Sequence, residues 1–188
     1  IEAGPVLVIA PTSLGFNWEA ETRRFAPALN PVQLREVDRA EVLDSAKAGD
    51  LIICSYALAH REIDRLSQIE WGTVVFDEAQ NIKNSNSKTA KSVRTIPAGW
   101  SLALTGTPME NHLGELWSLF RAIAPGVLGS WDQFRRRFAL GIEKHNDTER
   151  REALARVIAP FVLRRSKAEV LTDLPERSEM NILVDLSP

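Results

Sequence analysis

Two adjacent carboxylates, Asp77 and Glu78, follow the apolar run Val74-Val75-Phe76 and precede Ala79-Gln80. Carboxylates at the end of a buried strand are costly unless a cation is held beside them. A magnesium ion on nucleotide phosphates suits the pair, because magnesium takes few carboxylates and keeps several waters. In that arrangement Asp77 orients the metal shell and Glu78 polarises a water for in-line attack on a terminal phosphate. An Asp-Glu pair taken alone more often starts a turn or caps a helix. The buried strand in front of this one shifts the reading toward chemistry.

Two further segments carry hydroxyls at the ends of apolar runs. Leu104-Thr105-Gly106-Thr107-Pro108 reads locally as a tight turn. Its two threonines suit a relay between the acidic pair and a bound substrate. Ala10-Pro11-Thr12-Ser13 passes from a strand into a helix start, where hydroxyls and free N–H groups suit a phosphate oxygen. On local grounds Ser13 reads first as a helix cap. One element is missing from the pattern: no glycine is followed by lysine, so the chain holds no G-x-x-x-x-G-K-[ST] phosphate loop. Either the chemistry is not nucleotide hydrolysis, or the chain begins downstream of that loop.

These segments need strands and helices to hold them. Pro5–Ala10, Leu51–Ser55 and Thr73–Phe76 are short, β-branched and continuously apolar, as strands buried on both faces should be. Trp100–Leu104 reads as a fourth such strand and Pro31–Val37 as a weaker one. Between them, Leu14, Trp18 and Phe25 form one stripe of an amphipathic helix ending before Pro27. Ala59, Ile63 and Leu66 mark a second helix, and Ala90, Val93 and Ile96 a third that stops at Pro97. Buried strands alternating with helices predict an α/β fold with a parallel sheet covered on both faces. Ligands collect at the carboxyl ends of such strands, where all three polar segments lie. After Pro108 a helical period takes over at Leu113, Leu116, Trp117, Phe120 and Ile123, then near Phe134 and Phe138, and again at Leu154, Val157 and Ile158. Phe161–Leu163 and Met180–Leu186 read as extended.

Composition narrows the class. A chain of 188 residues with 44% hydrophobic content suits one domain that buries roughly 70% of its unfolded surface without a metal or disulfide staple. A single cysteine, Cys54, excludes an intrachain disulfide, and His60, His112 and His145 have no zinc spacing. No run of about 18 apolar residues is present, and no signal-peptide pattern opens the chain. These features point to an intracellular protein, and the opening residues to an excised piece of one. Net charge is −2, which excludes a polybasic tail. Residues 110–170 hold 11 basic and 8 acidic side chains, an asymmetry that a solvated helical face explains as well as a binding patch does.

Taken together, APTSLGFNW, SYALAHREI, VVFDEAQNIKNSNSKTAKSV, LALTGTPMENHLGELWSLF and PFVLRRSKAEVLTDLPERSE closely resemble, in that order, motifs Ia, Ib, II and III and the following segment of the Swi/Snf-type ATPases of helicase superfamily two. The resemblance runs from Pro5 to about Glu179. It implies the first RecA-like lobe of a motor that couples magnesium-assisted ATP hydrolysis to translocation on double-stranded DNA. It further implies that Asp77 coordinates magnesium and Glu78 activates water, while Gln80, Thr105, Gly106 and Thr107 couple the nucleotide state to DNA. Thr12 and Ser13 would touch the backbone of one strand, with Ser55 and Tyr56 as weaker contacts. Trp18 of the Asn17-Trp18 pair would pack helix against sheet.

By the same resemblance, residues 1–109 form a partial lobe, 110–160 a helical protrusion, and 161–188 the end of the lobe and a link toward a second lobe. The phosphate loop would lie before Ile1 and the second lobe after Pro188, leaving this polypeptide alone inactive. Arg135, Arg136 and Arg137 would lie on the protrusion, as a solvated face or as a contact with DNA or a partner. Arg164, Arg165 and Lys167 would either reach toward the second lobe or pack against acidic groups. Double-stranded DNA and transcription or repair proteins are the implied partners, and the bacterial cytoplasm, beside the nucleoid, the implied location. A degenerate lobe that scaffolds partners is the alternative, which the intact Asp77, Glu78 and Thr105–Thr107 disfavour.

Overall fold

The computed structural model describes residues 4–35, 37–106 and 112–165. At its centre lie β1 (Val6–Ala10), β2 (Asn30–Gln33), β3 (Asp50–Ser55), β4 (Trp71–Phe76) and β5 (Ala98–Ala103). They form one sheet in the order β2-β3-β1-β4-β5, and every pairing is parallel. The expected α/β architecture is therefore observed. β1, β3 and β4 are almost wholly buried, which is why their sequences run apolar instead of alternating.

The helices divide between the two faces. α1 (Gly15–Phe25) covers one face, where Leu14 and Trp18 pack on Val8, Ala10, Leu51, Ile53 and Val75. The opposite face carries α2 (Arg39–Asp44), α3 (Tyr56–Arg61), α4 (Ile63–Leu66) and α5 (Lys88–Val93). There Leu7, Ile9, Ile52, Val74 and Phe76 meet Leu43, Leu58, Leu66, Ala90 and Val93. Each large side chain fully buried in this way contributes roughly 1.5–3 kcal/mol. Polar side chains start several helices: Asp38 accepts from two N–H groups of α2, Ser55 from Leu58 of α3, and Ser87 from Ala90 of α5.

α6 (Leu113–Ile123) belongs to two cores. Leu119 joins the sheet-side core, while Leu113, Leu116, Trp117 and Phe120 build a second one. That second core is completed by Phe134 of α7 (Trp131–Phe134), Phe138, Ile142 of α8 (Leu140–His145) and Leu154 of α9 (Thr148–Ile158). Ser130 and Gln133 close the start of α7 as a reciprocal capping box. A π-helical turn over Arg135–Ala139 joins α7 to α8.

Several expectations need correction. Phe25 is 69% exposed instead of completing the apolar stripe, and the Arg24 guanidinium lies 4.9 Å from its ring centroid. α1 ends at that residue. The helix expected through Ala59, Ile63 and Leu66 is interrupted at Glu62, giving α3 and α4. The weak strand is Asn30–Gln33 instead of Pro31–Val37. Phe161 closes a short 3-10 turn, Ala159–Phe161, and extended backbone begins at Val162. Met180–Leu186, Lys167, Thr107 and Pro108 lie outside the described residues.

Candidate active site

The carboxyl ends of the strands are flush. Ala10 pairs with Ser55, Ile9 with Phe76, and Phe76 with Ala103. The segments after β1, β3, β4 and β5 therefore emerge together on one rim. The acidic turn is stitched into that rim by backbone bonds: Asp77 N donates to Ile9 O at 2.8 Å, and Ala79 N to Leu104 O at 2.9 Å.

Glu78 adopts φ 49° and ψ 53°, the left-handed region. A glutamate there is strained by about 1–3 kcal/mol, a cost that persists where surrounding bonds over-determine it. Here Asn81 supplies two such bonds, its N and Nδ2 donating to Glu78 O at 3.0 and 2.8 Å. The turn sends the chain straight into a 3-10 helix, Ala79–Ile82, and leaves both acidic side chains half-buried at the rim.

Each carboxylate is held. Asp77 Oδ1 accepts from Glu78 N at 2.9 Å, and Oδ2 accepts from the indole Nε1 of Trp18 at 2.7 Å. The Asp77 carbonyl accepts the hydroxyl of Tyr56 at 2.8 Å. Glu78 Oε2 accepts from Gln80 Nε2 at 2.5 Å, and Gln80 Oε1 accepts from Thr105 Oγ1 at 2.9 Å. Thr105 thus reaches the acidic pair through Gln80. Gly106 is exposed beside it.

Among the described residues no group of three His, Cys, Asp or Glu side chains is assembled for a metal. A pair of carboxylates with free lone pairs is instead the donor set of a magnesium ion held mainly by phosphates and water. Asp77 and Glu78 fit that ion.

Thr12 and Ser13 are exposed in a 3-10 turn, Thr12–Leu14, that leads into α1. Neither this turn nor α1 has a side-chain cap bond among the described residues, so the expected Ser13 cap is not formed. Thr12 lines a cleft of about 280 Å³ whose wall also includes Ser55, Gln33, Arg35, Arg39 and Arg61. Ser55 is half-buried, its Oγ accepting from Leu58 N at 3.2 Å. Tyr56 does not fit a contact with a nucleic-acid backbone: it is buried, and its hydroxyl is committed to Asp77. Burial, then the charge of Asp77, raises its phenol well above the ordinary tyrosine range.

Sequence reading missed Arg35, Arg39 and Arg61, because three elements bring them to one cleft and no local spacing links them. Trp18 reads in sequence as packing, whereas its polar edge touches the site. Arg135, Arg136 and Arg137 are exposed, with the Arg137 guanidinium 4.9 Å from the Phe138 ring centroid. Arg164 and Arg165 are exposed as well.

Comparison with known proteins places these features. A profile of the SNF2-related domain family matches residues 2–188. YwqA of Bacillus subtilis, whose name carries a provisional ATP-dependent helicase/translocase assignment, is 42% identical over 189 residues. The match takes in 97% of this chain and 20% of YwqA. The Arabidopsis thaliana ISWI chromatin-remodeling complex ATPase CHR17 is 36% identical, over 98% of this chain and 18% of its own length. The chain therefore spans about a fifth of these curated relatives. The Sulfolobus solfataricus SWI2/SNF2 ATPase core in complex with double-stranded DNA superposes with a TM-score of 0.80 at 42% identity. That alignment covers 93% of this chain and 36% of the Sulfolobus chain. The sheet and its flanking helices are accordingly those of a RecA-like lobe of an SWI2/SNF2 ATPase core.

Proposed function

Because the chain belongs to the SNF2-related domain family, we propose that it forms most of the first motor lobe of a DNA-dependent ATPase that translocates on double-stranded DNA. The observation that carries this reading is the acidic turn. Asp77 and Glu78 sit on the ligand-bearing rim, and Glu78 is joined through Gln80 to Thr105 on the neighbouring strand's exit. In this reading Asp77 holds magnesium. Bound with ATP, that ion neutralises charge on the phosphates. Glu78 accepts the proton of the attacking water, and the Gln80–Thr105 bridge senses whether a terminal phosphate is present. Gly106 and Thr107 share the role of coupling the nucleotide state to DNA.

Thr12, Ser13 and Ser55 contact the backbone of one DNA strand, with the arginine-walled cleft beside them attracting phosphate. Residues 1–109 act as the partial lobe, 110–160 as a helical protrusion, and 161–188 as the passage to a second RecA-like lobe. That second lobe supplies cationic groups which the transition state needs. The protein works in the bacterial cytoplasm beside the nucleoid, with transcription or repair proteins as partners.

The test is ATP hydrolysis by the longer protein that carries this chain, with and without duplex DNA and magnesium. Turnover that requires magnesium and rises with duplex supports the proposal. Residues 1–188 by themselves are expected to hydrolyse ATP negligibly and to bind duplex weakly, with an affinity that falls steeply in salt. A longer protein whose hydrolysis ignores DNA, or robust DNA-stimulated turnover by residues 1–188 alone, contradicts it.

A further inference from the structure

The geometry points to Trp18 as a positioning residue, one whose indole N–H fixes the Asp77 carboxylate and ties it to the DNA-facing turn. The inference rests on the functional reading above and extends it to a residue outside the acidic pair. Trp18 Nε1 donates to Asp77 Oδ2 at 2.7 Å, across 59 residues of sequence. The other carboxylate oxygen is held within the turn by Glu78 N. Trp18 therefore supplies the one bond to this carboxylate, among the described residues, that comes from a separate element.

That element begins at the proposed DNA contact. Thr12 and Ser13 lie in the 3-10 turn that runs directly into α1, and Trp18 sits one helical turn beyond Leu14. The start of α1 packs against the sheet. Gly15 is buried so closely against β2 that an added Cβ would lie 2.7 Å from Gln33 Oε1. Farther along, the Thr22 hydroxyl donates to Trp18 O at 2.7 Å, fixing the backbone that carries the indole.

A second connection follows the same logic. Ser55 lines the same cleft as Thr12, and the next residue, Tyr56, donates to the Asp77 carbonyl. Each of two cleft-lining segments thus sends one side chain to Asp77. A shift of the Thr12–Leu14 turn on meeting a phosphate is carried by α1 to the indole, and by the indole to the carboxylate that would hold magnesium. Burial of the Trp18 ring against Val8 and Val75 explains why an aromatic residue stands there. It does not explain why the polar edge of that ring points at Asp77.

The test uses Trp18→Phe in the longer protein, which keeps an aromatic side chain and removes the donor. Partners that orient a metal ligand are typically worth ten- to a hundredfold in metal affinity or activity. Manganese binding in the presence of ADP, read by electron paramagnetic resonance, is expected to weaken about tenfold. DNA stimulation of hydrolysis is expected to fall by about the same factor. Duplex affinity and metal-free nucleotide affinity should stay as in the wild type. Unchanged manganese affinity and unchanged DNA stimulation in a folded Trp18→Phe protein overturn the inference.

If the variant does not fold, the Trp18 indole N–H resonance of the wild-type protein decides. A resonance that moves on adding duplex or metal–ADP supports the link, and one that ignores both overturns it. A wild-type protein whose hydrolysis ignores DNA defeats the functional reading itself. That failure is told apart because it appears before any substitution at Trp18.

Discussion

Tyr56 donates its hydroxyl to the main-chain carbonyl of Asp77 at 2.8 Å, so the buried start of α3 and the acidic turn share a hydrogen bond. The consequence is a structural role for a residue whose motif suggested a nucleic-acid contact. Tyr56→Phe removes the hydroxyl and leaves that carbonyl without this partner. The expected loss is about 1–2 kcal/mol of stability, read from urea unfolding. Duplex affinity of the longer protein should not change, and a drop in that affinity would restore Tyr56 to the DNA surface.

The bridge from Thr105 through Gln80 to Glu78 makes a second expectation. Thr105→Val keeps the shape and removes the donor to Gln80 Oε1. Gln80 then loses its anchor on the β5 side while it still reaches Glu78. Losing one positioned hydrogen bond of about 1.4 kcal/mol corresponds to about a tenfold drop in DNA-stimulated turnover. ATP affinity should hold within about twofold, because the bond acts on the positioning of Glu78 and not on the nucleotide. A fall in ATP affinity with turnover unchanged would assign Thr105 to binding.

Much of this architecture could be read from residue order. PVLVIA, LIICS and TVVF have no polar face, and a strand without a polar face must be covered on both sides. The rim position of Asp77, Thr105 and Thr12 then follows from parallel topology. What could not be read depends on chain segments far apart. The Trp18 indole reaches Asp77 over 59 positions, and helical periodicity marks the ring of Trp18 without saying where its N–H points. Phe25 shows the opposite error: it keeps the period of α1 yet, as the last residue of that helix, is 69% exposed. The left-handed backbone of Glu78 has no local signature either, since glutamate rarely adopts it.

Cys54 carries an expectation about pH. Burial in β3 pushes its thiol up from 9.0 to about 12. The folded state therefore keeps the proton that the unfolded chain releases above about pH 9. The resulting stability is complete below pH 9 and declines as pH rises from 9 toward 12, by at most about 1.4 kcal/mol per pH unit. Urea midpoints at pH 8 and pH 10 should fall further apart in the wild type than in Cys54→Ala. Iodoacetamide should modify the native thiol only as fast as the protein opens. Rapid labelling of folded protein at pH 8 would contradict the burial.

The most direct measurement is made on Glu78→Gln in the longer protein carrying this chain, following ATP binding and duplex-stimulated hydrolysis on the same preparation. The substitution keeps the side chain's size and its capacity to accept from Gln80, while removing the group that takes a proton from water. The expected result is ATP affinity close to wild type, with turnover reduced by about 10²–10⁴-fold. Retained turnover would contradict the central claim that the acidic turn on this rim activates the attacking water.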